Sequence, residues 1–332
     1  MSKVFIHAQA PLDSCQIKIG MNLDWVSNYD RQFCFVDLMK SCRSWNTYPT
    51  ANLADSIPKD ADGYPLELPY TVNGQPQIVS TNMAMDQMGL YPAGTYVVLY
   101  DGTGTFQFSG DAVVLNQIPG RIELTVTPTM LGITMNITNS NVSDHVRNIR
   151  VLMPGTEFTY QSQPFNPAFL NYLAPFPVIR FMWWQYIPWS DEVQWADRRK
   201  TTYYTQGTYS ATPPQRGTAY EYMIKLCNQT NKDMWICIPH AADSNYISNL
   251  AKLIRDSLNP ALKIYLEYSN EVWNSVFYDI SNWVEANAPA SLPNHAQKTA
   301  YFFKRVFNIW GLEFGNQMST RVVRVAACQG TN

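Results

Sequence analysis

One change of grammar along this chain constrains its fold more than any other feature. Between about Asn46 and Gly155, turn signals (Asp62-Gly63, Asn73-Gly74, Pro92-Ala93-Gly94, Asp101-Gly102, Pro119-Gly120) cut the sequence into short β-rich runs. The runs are Thr95–Tyr100, Thr105–Ser109, Arg121–Thr127, Ile133–Thr138 and Val146–Met153. Short strands at this spacing, without helical period, predict an antiparallel β-sandwich of jelly-roll type. On both sides of it the pattern is α/β. Upstream, Ile17, Ile19 and Met21 alternate, Phe35, Leu38 and Met39 recur at helical spacing, and Arg43-Ser44-Trp45 reads as a following strand. Downstream, helices are expected at Pro167–Leu173, Tyr220–Asn228, Ser244–Leu258 (with Ser244 as its cap) and Ala296–Phe314. Buried strands are expected between them, at Pro177–Met182, Asp233–His240, Lys263–Asn270 and Arg321–Ala327. Strands alternating with helices of this size form parallel βαβ units, in either a doubly wound sheet or a (β/α)8 barrel.

Composition removes several classes of function. A net charge of −2 lacks the basic excess that neutralises a phosphate backbone, so nucleic acid is not an expected partner. No apolar stretch reaches about 18 residues, and the N-terminal MSKVFIHAQAPLDSCQIKIG lacks the apolar core of a signal peptide. Neither membrane insertion nor export is expected, which leaves cytoplasmic synthesis with the final location open. Cys15, Cys34, Cys42, Cys227, Cys237 and Cys328 are scattered without a Cys-x-x-Cys pair and read as buried thiols. With only His7, His145, His240 and His295 besides, no metal site is expected. Gly-x-Gly-x-x-Gly, Gly-x-x-x-x-Gly-Lys and Gly-x-Ser-x-Gly motifs are missing from the strand-to-helix turns, so no nucleotide cofactor and no serine nucleophile are expected. The outlier is aromatic content: 10 Trp and 20 Tyr, side chains whose apolar faces and polar tips suit sugar rings or interfaces.

In parallel α/β folds the reactive groups gather at strand C-termini. There the sequence offers Asn22, Asp24 and Trp25; Arg43 and Trp45; Arg180, Trp183 and Trp184; His240 and Asp243; Asn270, Glu271 and Trp273; and Gln329 with Asn332. One acid beside an amide, with arginines, a histidine and several indoles, has the chemistry of a saccharide cleft. Trp183, Trp184, Trp189 and Trp195 crowd a polar loop and are expected to be sugar platforms; Trp235 and Trp310 sit in apolar runs and are expected in the core.

The strand ending Lys263-Ile-Tyr-Leu-Glu-Tyr-Ser-Asn-Glu-Val-Trp-Asn274 resembles the glycoside hydrolases of clan A, in which an Asn-Glu pair closing the fourth strand supplies the general acid/base. The Tyr-Ser-Asn-Glu-Val-Trp-Asn string looks especially like a set of bacterial proteins, often called cellulose-binding or hydrolase-like, whose barrel carries a β-rich insertion. The resemblance covers about Gln16–Trp45 and Phe165–Asn332. It implies a (β/α)8 TIM-barrel-like body from residues 1–50 and 156–332, with residues 51–155 as the inserted sandwich. It also implies Glu271 as acid/base, Asn270 as the amide on the sugar 2-hydroxyl, and Arg180 as the arginine that holds the nucleophile. Trp183, Trp184, Trp189, His240, Trp273, Asn22 and Trp45 are the expected substrate-binding residues.

The enzyme reading meets an obstacle in the acids. Glu267 lies four residues before Glu271, about 13 Å away along a strand, too far for the carboxylate pair of a retaining glycosidase at about 5–5.5 Å. Glu267 therefore reads as a structural acid of the barrel interior. Roughly 60 residues follow Glu271, room for one or two further βα units of about 30 residues. The nucleophile of the seventh strand then has no counterpart in this chain, and the barrel is expected to be incomplete at its C-terminal end, its open edge covered by a partner chain or a missing segment. Two functions follow: a glycoside hydrolase acting on oligo- or polysaccharide, or a non-catalytic carbohydrate-binding or assembly protein, such as a surface or virion component, on a hydrolase-like scaffold.

Overall fold

The computed structural model describes residues 19–85, 88–208 and 215–328; Ile17, Cys15, His7, Gln329 and Asn332 lie outside the described residues. In chain order the strands begin with β1 (Met21–Asn22), β2 (Asn46–Tyr48), β3 (Tyr70–Val72), β4 (Gln75–Met83), β5 (Gly94–Asp101) and β6 (Gly104–Gly110). They continue with β7 (Ala112–Ile118), β8 (Arg121–Val126), β9 (Ile133–Ser140) and β10 (Arg147–Leu152). Then helices alternate with strands: α1 (Pro167–Leu173), β11 (Val178–Arg180), α2 (Tyr220–Thr230), β12 (Asp233–Ile238), α3 (Ser244–Ser257), β13 (Ile264–Tyr268), α4 (Tyr278–Asn287), α5 (His295–Phe314), α6 (Met318–Arg321) and β14 (Val322–Val325). The protein is thus a mixed α/β molecule with several sheets.

One five-stranded sheet has the order β1-β11-β12-β13-β14, and every neighbouring pair is parallel. Spatial order follows chain order without a reversal. Ile179, Met234, Ile236, Ile238, Ile264, Leu266 and Val322 share one face, where they form one apolar core with Phe169, Met223, Leu250, Ile254, Ile280, Val306 and Trp310 of α1 to α5. Each such side chain contributes about 1.5–3 kcal/mol on burial. The helices cover that face. The opposite face carries Arg180, Trp235, Cys237, Tyr265, Glu267 and Val323, and it is only partly covered: Trp235 and Tyr265 are half-buried and Val323 is exposed. Trp235 therefore departs from its expected place in the core; it stacks on Tyr265 at 5.6 Å on this second face, because strand alternation sends it away from the helices.

The β-rich stretch forms two antiparallel sheets, β10-β5-β8-β7 and β2-β4-β9-β6, with β3 on β4. Val79, Met135 and Ile137 of one sheet and Tyr96, Val98, Ile122 and Leu124 of the other belong to a second core. Burial alternates over Gln77–Met83 of β4, along β8 and over Ile133–Thr138 of β9, the period-two signature of a strand with one buried face. No helix falls between Thr95 and Met153.

Three local expectations need correction. Arg43-Ser44-Trp45 is irregular and leads into β2 of an antiparallel sheet instead of ending a parallel strand. The helix expected around Phe35–Met39 is a single 3-10 turn, Leu38–Ser41; the buried Asp37 carboxylate accepts from Met39 N–H at 3.1 Å and from Val151 N–H at 2.9 Å, tying this turn to β10. The cap of α3 is Asp243, which accepts from Tyr246 N–H at 2.6 Å, one residue before the expected Ser244.

Candidate functional site

At the C-terminal ends of β11, β12 and β13, strand alternation brings three polar side chains to the face away from the helices. Arg180 closes β11 and donates to Glu267 at 2.8 Å and to Asn270 at 3.0 Å. Glu267, 2% exposed, also accepts from the Trp235 indole N–H at 2.8 Å and from the Cys237 thiol at 3.4 Å. The guanidinium lies over the Trp235 ring, 5.1 Å from its centroid. Burial works against the Arg180 charge, but the acidic groups beside it, Glu267 and Glu271 among them, outweigh that and hold its pKa above the usual value. Burial pushes the Cys237 thiol well up, so it stays protonated and able to donate. A buried carboxylate satisfied by three donors is a structural anchor, as the strand spacing led us to expect of Glu267.

Glu271 sits at the rim of this cluster. Ser269 (φ +55) and Glu271 (φ +43) are both left-handed, on either side of the buried Asn270. Each such non-glycine conformation costs on the order of 1–3 kcal/mol and persists only where its surroundings enforce it. The enforcing contacts are Ser269 N–H to the Ile238 carbonyl at 2.9 Å, and Asn274, whose backbone N–H donates to the Glu271 carbonyl at 2.8 Å. The Asn274 side chain donates to the Glu271 carboxylate at 2.7 Å, and Glu271 itself is half-exposed. The result is an accessible acid held by a neighbouring amide, next to a cation already bound to Glu267 and Asn270.

Loops from three strand ends contribute a wall of rings. Trp25, after β1, meets Trp183 at 5.3 Å; Trp183 stacks on Trp189 at 5.6 Å; Trp189 meets Phe277 edge-on at 6.1 Å. Phe277 belongs to the turn that holds Glu271, since its N–H donates to the Asn274 carbonyl at 2.9 Å. Trp25, Trp183 and Phe277 are half-buried and Trp189 is exposed, so the wall faces solvent. Trp273 is half-buried in the Glu271 loop, and Asn22 is exposed on β1 in register with Arg180. His240 is half-buried after β12, its ring edge-on to Trp283 at 5.6 Å, with Nδ1 lacking a hydrogen-bond partner. Burial pushes its pKa down to about 4, against the pull of Asp279 and Asp191, so the ring is neutral near pH 7.

Three residues expected to contact sugar are elsewhere. Trp184 is 0% exposed, enclosed by Phe35, Phe169 and Phe181, with no face left for a ligand. Trp45 is buried in the second core, stacked on Tyr204 at 4.9 Å, with its indole N–H donating to the Gly63 carbonyl. Trp195 is half-buried, stacked on Tyr220 with Arg198 over its ring, and joins neither the wall nor Glu271. Of the cysteines, Cys34, Cys42, Cys227 and Cys237 are buried as expected, whereas Cys328 is exposed.

Phe277 carries no signal in the sequence, and neither does a buried hydrogen-bonded cluster that includes Gln185 of the Trp183 turn. In that cluster Tyr246 donates to the Glu192 carboxylate, Tyr220 and Tyr246 hydroxyls lie 2.6 Å apart, and Gln185 reaches Tyr220 at 3.5 Å. Among the described residues no group of three or more metal-capable side chains gathers, and no helix is long and apolar enough to cross a membrane. Compared with known proteins, the chain matches no protein-family model, no curated protein and no solved structure.

Proposed function

We propose that this protein is carbohydrate-active and glycoside hydrolase-like, with a saccharide site at the strand ends where the ring wall meets Glu271. The observation that carries this reading is the convergence of Trp25, Trp183, Trp189 and Phe277 on the turn that fixes the Glu271 carboxylate. Rings offer apolar faces to sugar C–H groups, while the exposed Asn22 and half-exposed Asn274 supply donors and acceptors for hydroxyls; Asn270, buried and held by Arg180, lies behind them. Glu271 is the acid of the site. Arg180 is occupied by Glu267 and Asn270 and is not free to hold a retaining partner for Glu271, which favours a site that by itself binds saccharide without cleaving it.

The same reading extends to the fold. Sequential parallel strands with helices on one face are the grammar of a (β/α)8 barrel, and parallel sheets are ordinarily covered on both faces. We take the partly covered face bearing Trp235, Tyr265 and Val323 as the barrel interior, completed by further polypeptide, and the two antiparallel sheets as a sandwich inserted into it. Calorimetric titration with β-linked gluco- and manno-oligosaccharides tests the function. Saturable binding supports it; no heat at millimolar sugar overturns it.

A further inference from the structure

We propose that Gln185 is the positioning residue of the ring wall, its side-chain amide standing in for a missing stretch of β-strand. The inference rests on the reading of that wall as a saccharide site. β11 ends at Arg180, paired with Trp235, whereas β12 runs on to Ile238. Beyond Trp235, then, the edge of β12 that β11 covered has no strand beside it. Gln185 fills that place: Cys237 N–H donates to Gln185 Oε1 at 2.9 Å, and Gln185 Nε2 donates to the Cys237 carbonyl. A primary amide here offers the one donor and one acceptor that a peptide group offers in a ladder.

The clamp fixes the turn that carries two wall rings. Gln185 N–H donates to the Phe181 carbonyl at 2.9 Å, Tyr186 N–H to Trp183 at 3.0 Å and Ile187 N–H to Met182 at 3.2 Å, with Tyr186 left-handed at φ +52. This tight winding sets Trp183 and Trp189 face to face across the turn. From outside, Thr218 N–H donates to the Trp184 carbonyl at 2.7 Å, and a Cβ on Gly217 would stand 2.7 Å from Gln185 Cα, so the following segment is seated directly on the clamp. Gln185 is buried at 2% exposure and touches no ligand surface itself, so its effect on binding passes through the rings.

The test compares Gln185→Leu and Gln185→Glu with wild type, reading oligosaccharide affinity by calorimetry and the exciton signal of the Trp183–Trp189 stack by far-ultraviolet circular dichroism; Trp189→Ala identifies that signal. Gln185→Leu keeps volume but removes both hydrogen bonds, and is expected to lose the exciton signal and to weaken binding by at least about tenfold. In Gln185→Glu the carboxylate accepts from Cys237 N–H but faces its carbonyl without a proton. Signal and affinity should therefore be reduced near pH 8 and recover toward about pH 5 as the carboxyl protonates and donates. A folded Gln185→Leu protein with wild-type signal and affinity overturns the proposal. Should that variant not fold, a flat, wild-type pH profile for Gln185→Glu overturns it instead. If wild type binds no sugar, the saccharide reading fails, and the exciton signal alone decides the positioning role.

Discussion

Substituting Glu267 by Gln takes the charge from the anchor while leaving its shape. Glu267 and Arg180 meet at 2.8 Å, with side chains 3% and 20% exposed. At an effective dielectric of about 20, unit charges roughly 4 Å apart attract by about 4 kcal/mol, and the cost of desolvating the carboxylate offsets part of this. Losing one partner of a buried pair typically costs about 3–5 kcal/mol, because the other is left uncompensated. Arg180 retains Asn270 and some solvent, and a Gln amide would turn one N–H toward the Trp235, Cys237 and Arg180 donors. We therefore expect a loss of about 3 kcal/mol. Urea unfolding followed by tryptophan fluorescence measures it, with Glu267→Leu, Arg180→Met and their double variant completing a cycle. The double variant should be about 2 kcal/mol more stable than the sum of its singles predicts, since neither charge is then stranded. A Glu267→Gln protein within about 0.5 kcal/mol of wild type, or strictly additive singles, would refute the anchor argument.

Three further substitutions probe the packing beneath the site and the antiparallel sheets. Trp184→Ala should cost about 3–5 kcal/mol in the same assay, since it empties a fully enclosed volume, while Trp189→Ala on the exposed wall should cost well under half of that; equal costs would contradict their placement. Asp111 tests pH dependence. Burial works to raise its pKa, but hydrogen bonds from the Thr129 hydroxyl, the Tyr91 hydroxyl at 2.5 Å, and Thr129 and Gly132 N–H outweigh burial and lower it. A carboxylate with a depressed folded pKa contributes stability that is present above its unfolded pKa of about 3.9 and lost as pH falls through the folded value. Denaturation midpoints measured from pH 6 downward should show this loss in wild type and a shallower one in Asp111→Asn; parallel curves would count against it.

What was legible in the sequence follows from how directly each signal maps to backbone physics. Asp233–Ile238 and Ile264–Tyr268 announce themselves as apolar runs, and Ser244–Ser257 as an amphipathic stripe behind a capping residue. Gln75–Met83 was hidden because its inward positions include Gln77 and Thr81, polar side chains that nevertheless end up buried. Ala112–Ile118 was hidden for the opposite reason: six of its seven residues are exposed, so neither face alternates. At the site, the sequence put Arg180 and Glu267 on separate strands, and only the register of β11, β12 and β13 brings them onto one face. Trp183 and Trp184, adjacent in a loop, could not be told apart without the turn that sends one to the wall and the other into the core. Gln185 carried no motif at all, because its role depends on where β11 stops.

A saccharide site at the ring wall is tested most directly by the structure of the protein in complex with a β-linked gluco- or manno-oligosaccharide. Sugar rings are expected to lie against Trp183, Trp189 and Phe277, with a glycosidic oxygen directed toward the Glu271 carboxylate. Sugar bound away from these rings, or none bound at saturating concentration, would contradict it.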